Sequence, residues 1–214
     1  MSSSEAEHGH AHPPTADVSV RPALAEDAEI LGDVHARTLR ATLAAGVGHD
    51  LGPEVVGAID PGGLAESWSA AITSPPSPRH RVLAALDGAR VVGFAAFAPA
   101  EVPVETRPAE AGEPAETQET REEEPGAAEG AVAEILALEV PAAESRKGHG
   151  SRLLAACADL LRQQGAQRLQ AWVVQDDESR TRFFAQAGFA PAGVRRTLDV
   201  AGEDVTEICW YAEL

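Results

Sequence analysis

The residues best suited to chemistry lie in one stretch, Leu138-Glu139-Val140-Pro141-Ala142-Ala143-Glu144-Ser145-Arg146-Lys147-Gly148-His149-Gly150-Ser151-Arg152. An apolar run ends there, a short loop carries two cations and two glycines, and a segment of helical period begins. Glycines at 148 and 150 let a backbone approach a ligand closely and take conformations closed to other residues. The first amides of a helix have no partner within it, and they point at one place. With Arg146, Lys147 and Arg152 they make an anion site suited to a diphosphate. The loop lacks the Gly-Lys-Ser/Thr ending of a Walker A loop and the third glycine of a dinucleotide turn, because position 153 is Leu. Upstream, Glu134 and Glu139 are the carboxylates of the run Ala131–Val140 and the candidates for a base. A strict two-residue period puts Glu134 on the face with Leu136, Leu138 and Val140, and Glu139 on the other with Ile135 and Ala137.

The elements around this stretch read as a mixed α/β sheet. Val18–Arg21 predicts a strand, and Leu24–Leu39 a helix with Ile30, Leu31, Val34 and Thr38 on one stripe. Pro53–Ile72 predicts two short helices broken at Asp60-Pro61-Gly62-Gly63. Arg81–Leu86 and Arg90–Ala98 form a hairpin through Asp87-Gly88. Leu153, Leu154, Cys157, Leu160 and Leu161 recur at helical spacing up to Gly165. A strand at Leu169–Val174, a helix at Asp177–Ala187 and a final hairpin of Val194–Val200 with Val205–Tyr211 complete the order. Strand–helix–strand connections in the second half imply one parallel pair; the hairpins make the rest antiparallel.

The chain has 214 residues and a formal charge of −17. A field of that sign repels phosphate backbones and argues against nucleic-acid binding. Ten of the Glu residues fall between Pro99 and Gly130, against two Arg. That segment has almost no large apolar residue and reads as a disordered acidic loop, and residues 1–17 read as a disordered tail. The remainder suits one domain, 18–214, with 99–130 inserted. No apolar run approaches the roughly 20 residues of a membrane span, no signal peptide is evident, and two cysteines make no disulfide framework. A cytoplasmic protein without membrane association is expected. His8, His10 and His12 alternate in the tail, and no metal site is expected there or elsewhere.

Taken together, Glu134–Val140, the turn through Gly148-His149-Gly150, the helix Leu153–Leu161, the strand to Val174 and the ending Phe183-Phe184-Ala185-Gln186-Ala187-Gly188-Phe189 resemble the GNAT superfamily of acyl-CoA-dependent N-acyltransferases. Val20-Arg21-Pro22-Ala23 and the Asp27-bearing helix resemble that family's opening. The resemblance implies a mixed, mostly antiparallel GNAT-like sheet flanked by helices. It implies acetyl-CoA as cosubstrate, held by the backbone of Arg146, Lys147, Gly148, His149, Gly150 and Ser151, with its pantetheine arm beside Leu138 and Val140. The acceptor it implies is a primary amine of a small molecule or peptide, attacked directly in a ternary complex, and it allows a homodimer. Glu134 matches the position of the base in members that use a strand glutamate. The family pattern Q/R-x-x-G-x-G/A has Ser145 at its first position here, and the usual tyrosine acid is replaced in Phe183-Phe184. Asp177 stands where members often carry Asn against the CoA arm, and it serves equally well as a helix cap. Arg180 and Arg182 are candidates for the adenosine 3′-phosphate, although a solvated helix face is the preferred reading of both. The His149 ring is expected to face solvent, Cys157 to lie in the core and Trp68 to pack among the acceptor-side helices. A non-catalytic acyl-CoA-binding module of the same fold is the alternative. Deleting 99–130 is expected to leave acetyl-CoA affinity within about twofold by calorimetry, because a solvated loop contributes no contacts.

Overall fold

A computed structural model describes residues 18–101 and 131–214; the tail 1–17 and positions 102–130 of the acidic segment lie outside the described residues. Among the described residues, seven strands form one sheet in the order β1-β2-β3-β4-β5-β7-β6. They are β1 (Val18–Pro22), β2 (Arg81–Asp87), β3 (Arg90–Pro99), β4 (Ala131–Glu139), β5 (Ala166–Val174), β6 (Ala190–Val200) and β7 (Glu203–Glu213). Of these strands, β4 and β5 pair in parallel and the other neighbours antiparallel. The parallel strands are joined by helix α4 (His149–Gln163), the crossover that a parallel pair requires. Pro99, expected to open the acidic loop, is the last residue of β3, paired with Ala133.

Each face of the sheet is covered by helices. On one face Leu153, Leu154, Cys157 and Leu161 of α4 pack against Leu83, Val92, Phe97, Ile135 and Leu169, together with Phe184 of α5 (Glu178–Gln186). Each such leucine or phenylalanine taken out of water contributes about 2 kcal/mol. Burial pushes the Cys157 thiol up to about 12, so it serves as an apolar core residue, as expected. The other face carries α1 (Ala28–Val47), through Leu31 and Val34, and α3 (Pro61–Thr73), through Trp68 and Ile72, against Phe94, Ala96 and Ala137. Between them, α2 (Pro53–Ala58) is tied to α1 by Arg40, whose Nη2 donates to the carbonyls of Val56 and Ile59 at 3.0 and 2.6 Å.

Two details of α1 differ from the periodicity. Ile30, placed on the buried stripe, is 42% exposed, whereas Leu31, Val34 and Thr38 are buried as expected. The helix also starts later, because Ala25–Asp27 form a 3-10 turn around the carboxylate of Asp27. That carboxylate accepts from Arg21 Nη1 and Nη2 at 2.6 and 2.9 Å and from the Leu24 amide at 2.7 Å. The guanidinium bond holds the Asp27 pKa below the usual carboxylate range despite burial. Asp27→Ala strips the partner from Arg21 and from a backbone donor, and should lower stability by about 2 kcal/mol in urea unfolding. A change below a few tenths would refute this role.

Candidate active site

The site is organised by a break in strand β4. Ala137 pairs with Ala96, but the next pair toward the strand's start is Ile135 with Phe97, so Leu136 is an extra residue facing no partner. A bulge of this kind resets the alternation of side chains. Ala133 and Ile135 before it, and Leu138 after it, all join the α4 cluster, while Ala137 joins the α1 cluster and Leu136 is 58% exposed. Glu134 and Glu139 therefore share the α1 face. This corrects the opposite-face expectation, which assumed an unbroken period of two.

The same break ends the parallel pairing. Hydrogen-bonded partners between β4 and β5 run from Ala131–Ala166 to Ile135–Ala171 and stop, although β5 continues to Val174. Beyond Ile135 the two strands splay, and among the described residues the β5-facing edge of β4 from Leu136 onward has no ladder partner. The gap opens into a cavity of about 800 Å³ whose lining includes Leu138, Val140, Arg146, Gly148–Ser151, Arg180 and Phe183. That volume is within the range of small-molecule sites.

The glycine turn forms the floor. Gly148 is the residue before α4, with φ +84°, and no side chain caps the helix, so the first amides of α4 are available to a ligand. Arg146 also takes a positive φ, 61°, a conformation that costs a bulky residue about 1 kcal/mol and marks a constrained turn. Gly150 sits close beneath Phe183: a Cβ there would lie 3.3 Å from Phe183 Cε2, so the ring would have to give by a few tenths of an ångström. Lys147, expected at the anion, instead donates to Glu144 Oε2 at 2.7 Å, and Arg90 donates to Oε1 at 2.7 Å. These bonds hold the Glu144 carboxyl down to about 2. Arg152 folds back over the loop, its Nη1 donating to the Lys147 carbonyl at 3.3 Å. Glu144, a lining residue, carried no motif signal; its role follows from where the loop folds.

The remaining candidates separate into two groups. Toward the α1 face, Glu134 accepts from Gln170 Nε2 at 2.7 Å, and Glu139 is bound by Arg180. Asp177 is the cap of α5: it accepts from the Arg180 amide at 3.0 Å and from Thr42 Oγ1 at 3.3 Å. Arg182 lines the cavity and faces Glu178 at 3.8 Å. Trp68 packs against Phe94 and His35 as expected, and its indole Nε1 donates to His35 Nδ1 at 3.2 Å. An indole nitrogen only donates, so His35 Nδ1 is bare and the neutral ring carries its proton on Nε2. Its position four residues after Leu31 was the available sign that His35 faces the sheet.

His149 departs from expectation. Its ring is 1% exposed rather than solvent-facing, and among the described residues neither ring nitrogen has a hydrogen-bond partner. Burial lowers its pKa, with Asp87 and Glu144 pulling the other way. An unfolded imidazole titrates near 6.5, so protons favour the unfolded chain. Stability from this group is fully present above that pH and is lost as pH falls toward the lower folded value. His35, also lowered by burial, acts in the same sense. The urea midpoint is expected to fall between about pH 7 and 5, and to fall less in His149→Leu; identical pH profiles would refute the assignment.

A model of the acetyltransferase (GNAT) family matches residues 60–189. A search of curated proteins finds no match. Several solved structures share the fold. The ribosomal-protein-alanine N-acetyltransferase of Brucella melitensis is 18% identical, with 92% of this chain and 99% of that chain covered, at a TM-score of 0.60. PaiA N-acetyltransferase from Thermoplasma acidophilum, in complex with coenzyme A, is 15% identical over 92% and 99%, at 0.58. NAA60 from Arabidopsis thaliana, in complex with a bisubstrate analogue, is 13% identical over 92% and 97%, at 0.62. These likenesses establish the arrangement of strands and helices. Residues 60–189 are more than half of the chain, and on that match the chain belongs to the acetyltransferase (GNAT) family.

Proposed function

We propose that the chain transfers an acetyl group from acetyl-CoA to a primary amine of a small molecule or peptide, by direct attack within a ternary complex, with residues 18–214 acting as one domain. The observation that carries this reading is the open edge of β4 beyond Ile135, continuous with a cavity floored by the uncapped start of α4. A pantetheine arm carries amides spaced to pair with such an edge as an added strand would. Its diphosphate suits the backbone of Arg146–Ser151, where helix amides favour negative charge. The coenzyme A bound to PaiA and the bisubstrate analogue bound to NAA60 support the same assignment. Two buried free thiols, Cys157 and Cys209, suit a reducing cytoplasmic setting.

An alkylammonium, with a pKa near 10, has no lone pair for attack, so a base must take its proton. Glu134 is the residue we assign, directly or through one water. Glu139 shares its face, but its carboxylate is already engaged by Arg180. An amide on the free edge of β4 serves the developing oxyanion. The departing thiol, with a pKa near 8.5, leaves as a thiolate without strong acid help. This suits a chain whose Phe184 is buried where the family's tyrosine often stands.

Calorimetry with acetyl-CoA, followed by thiol release across a panel of amines, tests the proposal. Glu134→Gln is expected to lower kcat about 100-fold or more while leaving acetyl-CoA affinity within about twofold. Binding without turnover on any amine would favour the non-catalytic module, and no binding would refute both.

A further inference from the structure

The contact between Glu139 and Arg180 lies at an unexpected place. Helix α5, which carries Arg180, belongs to the α4 layer, because Phe184 packs with Leu153, Leu154 and Cys157. Glu139 follows Ala137 by two residues on β4, and Ala137 packs on the opposite, α1 face. The Arg180 side chain reaches from one layer to a carboxylate on the other, at the end of the sheet where the pairing of β4 with β5 has stopped. His35 of α1 feels the charges of both residues, as it would if the pair emerged beneath that helix. The guanidinium is fixed at two points: Nη2 donates to Glu139 Oε2, and Nε lies 3.5 Å from Asp177 Oδ2. Asp177 is in turn held by Thr42 of α1. The Glu139 side chain is 8% exposed and that of Arg180 25%, and Arg180 also lines the cavity.

We infer that Arg180 is a latch across the cofactor channel: its ion pair with Glu139 spans the gap through which an acyl-CoA arm must pass, and it has to open before the arm can seat. This rests on the acetyl-CoA reading above. An added strand along β4 beyond Ile135 and an arginine crossing that interval to Glu139 require the same space. The guanidinium has somewhere to go, since the cavity it lines is where the diphosphate brings negative charge. Opening also releases Glu139 on the face it shares with Glu134, so entry of the donor changes the charge presented to the amine. Arg180 thereby determines how fast the donor enters, in addition to any contact it makes once the donor is bound.

Stopped-flow association of acetyl-CoA with the full chain tests the latch. Glu139→Gln weakens the pair but keeps Arg180, and is expected to speed association about tenfold. Glu139→Asp keeps the charge but shortens the reach, and should also accelerate it. Adenosine 3′,5′-bisphosphate, which has no arm, should associate with both variants at the wild-type rate. Unchanged or slower acetyl-CoA association in both variants would overturn the latch. So would equal acceleration of both ligands, which is what the loss of one repelling charge alone predicts. Failure of the wild-type chain to take up acetyl-CoA or CoA would refute the acetyl-CoA reading itself, whereas wild-type uptake with unaltered variant rates would refute only the latch.

Discussion

Everything at the site depends on β4 and β5 parting company after Ile135. Parallel strands with helices on both faces normally satisfy their backbone groups along their full length. A central strand that abandons its neighbour keeps polar edge groups that only water or a ligand can satisfy. The bulge at Leu136 produces this, since one surplus residue rotates the rest of β4 and carries Leu138 and Val140 to the α4 side. The opening, the cavity and the shared face of the two glutamates are consequences of a single added residue.

Charge is distributed to suit a polyanion on a chain of net charge −17. Carboxylates near the cavity are tied to cations: Glu144 to Arg90 and Lys147, Glu139 and Asp177 to Arg180. Arg146 and Arg182 line the cavity, with the amide end of α4 beneath. Local dipoles and nearby cations outweigh a distant net charge once salt screens it beyond about 10 Å. The α1 face presents a different chemistry, with His35 and Trp68 tilted against each other and each in edge contact with Phe94, and Glu134 held by Gln170.

The order of elements was legible because it follows from local rules. Apolar spacing along α4, the breaks at Asp60–Gly63 and Asp87-Gly88 and the glycines at 148 and 150 reflect backbone conformations that a few neighbouring residues determine. The family resemblance was legible for the same reason, as it rests on such short signals in a set order. Ile30 was misassigned because a stripe read at 3.6 residues per turn gives a helix's phase but not the width of the face its neighbours cover.

What the amino-acid order determined alone was the alternation of strand and helix, the glycine turn and the supply of carboxylates. Tertiary structure decided which faces those carboxylates occupy, that the His149 ring is sealed beneath its turn, that Lys147 answers to Glu144, and that Asp177, Thr42, Arg180 and Glu139 form one chain of contacts across the sheet. Those outcomes turn on an unpaired residue in one strand and on partners as many as 135 positions apart. Periodicity carries no information about either, because both are settled by the register of neighbouring strands and the packing of distant helices.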